Sequence, residues 1–174
     1  MSAPTGYLLD ADSFIRSKRE HYAFDFCPGY WDALLRGFRQ KRVCSITPIR
    51  KELAKGKDAL ANWIKHDVPD AFFEAVIDVT LQAAYAKVMQ FVQDNNQYSV
   101  AAKQKFASGA DPWLVAFAND KGYVLVTYEV SSPDSKSIIK LPDVAAEFDV
   151  DCIPPYVMLR QLQVKLTLAK QNRP

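Results

Sequence analysis

Tyr7-Leu8-Leu9-Asp10-Ala11-Asp12-Ser13-Phe14-Ile15 decides how the rest of the chain is read. Tyr7, Leu8 and Leu9 form an apolar run too short for a helix, and so predict a buried strand. Asp10 stands where that strand ends. Asp12 or Ser13 is placed to cap the helix that follows, expected over Phe14 to Lys18. In open α/β sheets, chemistry gathers outside the carboxyl ends of the strands. Asp10 is therefore a site candidate, with the turn and cap roles common to Asp as the competing explanation.

Further apolar runs repeat the pattern. Val43-Cys44-Ser45-Ile46 and Tyr123 to Thr127 predict two more buried strands, Val150 to Ile153 a last one, and Ser137-Ile138-Ile139 a short one. Between them lie helical patterns. One runs from Pro28 to about Gln40. One starts at Thr47 as cap with Pro48 in the first position, and stops near Gly56. Asp58 to His66 is a third, Ala71 to Gln93 carries the spacing of one or two amphipathic helices, and Val100 to Phe106 is shorter. A strong start at Asp111, in the cap position before Pro112, leads to a stop at Gly122. Pro142 to Phe148 and Pro155 to about Lys170 close the chain. Glu20 to Cys27 is aromatic-rich and expected to be a loop, with apolar surface from His21 to Phe26 for a partner to cover. Alternating strands and helices predict a three-layer α/β/α sandwich with a mainly parallel sheet. The expectation is a single domain over 1–174 with a helical insertion at about 58–107.

Composition narrows the class. The 174 residues are 49% hydrophobic and 24% charged, with a net charge of +2, which fits an ordinary globular protein and gives no global attraction to polyanions. Cys27, Cys44 and Cys152 are widely spaced, odd in number and form no CxxC pair, which argues against a zinc site and a disulfide framework. Met1 to Gly6 lacks a basic region followed by an apolar core, so no signal peptide is expected. No apolar run is long enough to span a bilayer. The reading is a cytoplasmic protein with reduced thiols and no membrane partner.

Four acids occupy comparable places. Asp10 ends the first strand, Glu129 follows the Tyr123–Thr127 strand, and Glu52 lies in the helix after the second strand. Asp111 opens the helix leading into the strand before Glu129. In a parallel sheet, strand ends and the starts of following helices share one edge. Asp10, Glu52 and Glu129 can converge there, and Asp111 joins them if its helix starts beside that edge. Taken singly, Asp111 is a sound N-cap, Glu52 a solvated helix residue and Glu129 a loop acid. Together, clustered carboxylates repel unless a cation lies between them. Oxygen-only ligands suit Mg²⁺ or Mn²⁺, and such sites serve phosphodiester cleavage.

On these residues the sequence resembles the PIN-domain family. Tyr7 to Ile15 is similar to its opening motif, Thr47-Pro48-Ile49-Arg50-Lys51-Glu52-Leu53 to its second, Ala110 to Ala116 to its third, and Val124 to Glu129 to its fourth. The ending, from Lys140-Leu141-Pro142-Asp143-Val144 through Cys152-Ile153 and Met158-Leu159, looks like a PIN-like group formerly catalogued as of unknown function. The resemblance implies a metal-dependent ribonuclease in which Asp10, Glu52, Asp111 and Glu129 hold one or two Mg²⁺ or Mn²⁺ ions. It implies that Thr127 supports the fourth acid or the attacking water, and that Asp12 or Ser13 holds the rim. The family's fourth acid is usually Asp; here it is Glu129, one methylene longer. Bacterial members are often toxins restrained by an antitoxin, as in VapBC-type pairs. RNA as substrate, an antitoxin protein as partner and a homodimer are the implied associations, with the insertion as the place where antitoxin or RNA docks.

Positive charge for RNA must then be local. Arg16, Lys18 and Arg19 follow the first motif, and Arg50 and Lys51 flank Glu52, where they are candidates for phosphate contacts. Each also reads as a solvated helix face. Two other readings remain. Asp10-Ala11-Asp12 is similar to the DxD motif of haloacid-dehalogenase-type phosphatases, although no Asp-Asp or Gly-Asp pair follows a late strand. The alternative without catalysis is a PIN fold kept as an RNA- or protein-binding module.

Overall fold

The computed structural model describes residues 5–168. At its centre is β1 (Gly6–Leu9), four residues that are all buried. It pairs in parallel with β2 (Val43–Ile46) through Tyr7 and Val43, and with β4 (Tyr123–Val126) through Leu9 and Val126. Strands covered on both faces read as near-continuous apolar runs, which is why these three were visible in the sequence. Two-residue strands close the edges: β3 (Phe73–Glu74) beside β2 and β5 (Cys152–Ile153) beside β4. The order is β3-β2-β1-β4-β5 with every pairing parallel. The chain builds outward from β1 to β3, then returns to the other side of β1. The β1–β4 boundary is thus the point where strand order reverses.

Parallel strands require crossovers, and helices supply them. They are α1 (Ala11–Arg16), α2 (Pro28–Arg39), α3 (Thr47–Leu53), α4 (Ala59–His66), α5 (Val79–Asp94), α6 (Val100–Ser108), α7 (Asp111–Lys121), α8 (Leu141–Glu147) and α9 (Pro155–Gln161). With the sheet they make the α/β sandwich that the alternation predicted. α2 lies so close to β2 that a Cβ on Gly37 would stand 2.5 Å from Val43 Cγ2.

Several boundaries differ from the sequence reading. α1 starts at Ala11, not Phe14, because Asp10 itself is the cap: its carboxylate accepts from the Ser13 amide at 2.6 Å. The helix then widens into a π turn, Ser17–His21, whose last two residues fall in the stretch from Glu20 expected as a loop. The aromatic stretch beyond it turns mostly inward. Tyr22 stacks on Tyr30 and Phe24 on Trp31, leaving Phe26 as its exposed ring. Thr47 caps nothing; Ile46 holds the cap position and α3 ends at Leu53, before Gly56. Within 71–93, Phe72 and Phe73 belong to a 3₁₀ turn and the edge strand β3, so the stretch read as a helical insertion also adds a strand to the sheet. α5 begins only at Val79, capped by Asp78. Ser137-Ile138-Ile139 forms no strand. α9 stops at Gln161 because Gln163 takes φ 54° and the Val164 amide donates back to Leu159. Lys170 and Met1 to Pro4 lie outside the described residues. Among the described residues no helix is long and apolar enough to cross a membrane.

Candidate functional site: an acidic cavity at the β1–β4 boundary

Asp10 follows β1, and its amide donates to the Val126 carbonyl of β4 at 3.2 Å. Its side chain is almost fully buried and fixed from below. The Ser13 amide holds one carboxylate oxygen, while the Ser13 hydroxyl donates to the Asp10 carbonyl at 2.8 Å. Thr127, also buried, accepts the Glu129 amide at 2.9 Å. Its hydroxyl also favours the charged form of Asp10. Burial nonetheless dominates and pushes the Asp10 carboxyl up to about 8; Thr127 and Ser13 pull down, and the charges of Asp12 and Asp111 push up.

Asp111 is the first residue of α7 and makes no cap bond, so its carboxylate is free for the cavity. Burial raises it to about 6, reinforced by Glu129 and Glu52 and opposed by Lys140 and Lys105. Asp12 is raised as well, first by burial, with Arg16 at 3.9 Å pulling the other way. Glu52 is exposed on the last turn of α3. Glu129 leaves β4 and reaches the start of α8, where one oxygen accepts the Leu141 amide at 3.1 Å and lies 3.9 Å from Lys140 Nζ.

Asp10, Asp12, Glu52, Asp111 and Glu129 line one cavity of about 430 Å³. The four acids singled out in the sequence therefore share a space, as the parallel edge implied. Ser13 and Thr127 do not line it; they act from beneath, on Asp10. The anticipated RNA-contacting residues do not line it either. Arg16 pairs with Glu20 at 3.1 Å, Lys18 with Asp58 at 2.8 Å and Arg50 with Asp70 at 2.6 Å. Arg19 and Lys51 have no ion pair among the described residues. The lysines that do face the acids are Lys105 and Lys140. Neither stands near an acid motif's core in the sequence, and only the packing of α6 and the α8 start brings them in. A larger cavity of about 590 Å³ lies between the start of α2 and residues 164–168, away from these acids.

The donor set suits a hard divalent cation: it is oxygen only, and two of its members hold protons far above the usual carboxylate range because they are crowded and buried. A cation would reverse both effects. The shell is not preassembled, however. Among the described residues no group of three His, Cys, Asp or Glu side chains is gathered closely enough to hold a metal ion. Chemically the cavity can store protons near neutral pH and exchange them for a positive ion.

Fold and cavity together define an α/β protein with a parallel sheet and an acidic site at its switch point. The chain matches, over residues 7–166, the family described as "Domain of unknown function (DUF4411)". It belongs to that family. Comparison with curated proteins gives no match.

Proposed function

We propose that this chain is a divalent-metal-dependent endoribonuclease of PIN-like type, acting in the cytoplasm as the toxin of a toxin–antitoxin pair. The observation that carries the reading is the acidic cavity outside the carboxyl ends of β1 and β4, where burial and acidic neighbours push the Asp10 carboxyl up to about 8 and that of Asp111 up to about 6. Asp10, Asp111, Glu52 and Glu129 would hold Mg²⁺ or Mn²⁺. Such an ion, when bound, offsets the negative charge that gathers on a phosphodiester as it is cut. To hold the ion, Asp10 would give up its proton while Ser13 keeps it oriented, Glu52, exposed on α3, would have to turn inward, and Glu129 would offer the oxygen that does not accept from Leu141. Lys105 and Lys140 meet phosphate oxygens at the mouth, with Arg19 and Lys51 farther out.

Two tests bear on this. Purified protein is incubated with unstructured RNA and Mn²⁺, Mg²⁺ or EDTA; cleavage with either ion, abolished by EDTA and by Asp10→Asn, is expected. Thermal melts with Mn²⁺ should rise for the native chain and not for Asp10→Asn. Cleavage unaffected by EDTA would remove the metal from the reading. Phosphate released from small esters without RNA cleavage would favour a phosphatase. The engagement of Glu129 by Leu141 and Lys140, and the open spacing of the acids, favour a second reading: a binding module of the same fold. RNA binding without cleavage at any metal concentration is its signature.

A further inference from the structure

Beside the acid cavity lies an aromatic group that the proposed chemistry does not use. Tyr128 sits between Thr127 and Glu129 in sequence, with its side chain on the α1 side. Its hydroxyl is 3.2 Å from Ser17 Oγ, which donates to the Tyr30 hydroxyl at 3.0 Å. The Arg16 guanidinium lies 4.9 Å from the centre of its ring and also donates to the Tyr128 carbonyl at 3.4 Å. Tyr128 is thereby fixed in place. His21, at the end of the π turn, sits 5.1 Å from the Tyr128 ring and 6.2 Å from Tyr22. It is the outermost ring of this set, and its side chain is 44% exposed.

We propose that His21, backed by Tyr128, is a stacking shelf for one unpaired base of an RNA strand whose phosphate lies in the acid cavity. The inference rests on the ribonuclease reading and adds to it a base-contacting residue outside the acid cavity. Three features support it. The shelf adjoins the cavity, since Arg16 touches both Tyr128 and the cavity-lining Asp12. Arg19, which makes no ion pair among the described residues, belongs to the same turn as His21 and suits a phosphate backbone, while Lys18 is held by Asp58 and Glu20 is the acid in their midst. His21 is packed at a 39° tilt against Tyr128, with Nε2 3.6 Å from Glu20 Oε2 and 44% of its side chain exposed, so a base covering the exposed part costs the ring little freedom. A duplex cannot use the shelf, because its bases are already stacked and paired.

The test is binding to the native chain with Ca²⁺ in place of Mg²⁺ or Mn²⁺, an ion of the same charge that holds the strand without cutting it. The probes are a fluorescent ten-nucleotide unstructured RNA, the same strand made abasic throughout, and its duplex. His21→Ala should weaken binding of the single strand by about tenfold, the scale of one base–aromatic stack. His21→Phe should restore it, and neither change should alter binding of the abasic strand. The duplex should bind no better than the abasic strand. Unchanged affinity in His21→Ala, an equal loss on the abasic strand, or no rescue by Phe would each overturn the shelf. RNA cleavage by the native chain with Mn²⁺, measured separately, shows whether the ribonuclease reading survives that result; a native chain that binds none of the probes overturns both.

Discussion

Asp10 carries two duties on one carboxylate, capping α1 and lining the cavity. The sequence presents these as rivals, cap or site, and the fold combines them. Its raised pKa has a measurable consequence. Below about pH 4 the carboxyl is protonated folded or unfolded. Between about 4 and 8 the folded chain keeps a proton that the unfolded chain releases, so stability falls as pH rises through that window. Asp111 adds to the fall between about 4 and 6. Asn caps a helix as well as Asp and carries no charge. Asp10→Asn should therefore raise the melting temperature at pH 8 by roughly 3–10 °C, from ~1–3 kcal/mol, and flatten the slope from pH 5 to 8. Melts of the two proteins across that range, without metal, decide it; parallel curves would mean Asp10 is ionised throughout.

At the level of elements, the central strands and the helix starts with Pro were legible because each leaves a local mark. The edge strands were not. β3 spans two residues, too few to alternate, and Phe72 and Phe73 fall on the helical spacing of the stretch that follows. The ends of α2 and α8 were read to within a residue, but α9 was read about nine residues too long, because its stop carries no glycine. α2, α8 and α9 each finish with a left-handed residue that is not glycine: Lys41 at φ 57°, Asp149 at 54° and Gln163 at 54°. In each, the next amide donates back into the last turn, from Arg42 to Gly37, Val150 to Ala145 and Val164 to Leu159. Only α7 carries the expected Gly122, at φ 68°. L-residues are strained there by ~1–2 kcal/mol, partly offset by the entropy glycine loses. Replacing Lys41, Asp149 and Gln163 together by Gly should stabilise the fold by about 1–2 kcal/mol in urea melts; a loss of stability would show that their side chains hold more than the turn.

Across the whole molecule, strand order is what the sequence could not supply. The motifs predicted strands and acids, but the reversal between β1 and β4 is a property of pairing across more than a hundred residues of chain. That reversal brings Asp10 next to Thr127 and Glu129, and α7 delivers Asp111 from the opposite direction. The acids were therefore found in advance, and the lysines were not, because Lys105 and Lys140 reach the cavity only through the packing of α6 and α8. The basic residues nearest the motifs in sequence are spent largely on Asp58, Asp70 and Glu20.

The bond from the Leu141 amide to Glu129 ties the start of α8 to the loop just after β4, closing over the residues 130–140 between them. One carboxylate thus serves both as a potential ligand and as a latch, and what draws on it at one end is felt at the other. Hydrogen exchange at a single amide then becomes a reading of the cavity's state. Glu129→Gln keeps an acceptor and should leave Leu141 protected, whereas Glu129→Ala should speed its exchange at least severalfold, a cost of about 1 kcal/mol for the lost bond. If Mn²⁺ in turn changes the exchange of Leu141 in the native chain, occupancy of the cavity is transmitted to α8; equal exchange in all three proteins would mean that the latch is not closed in solution.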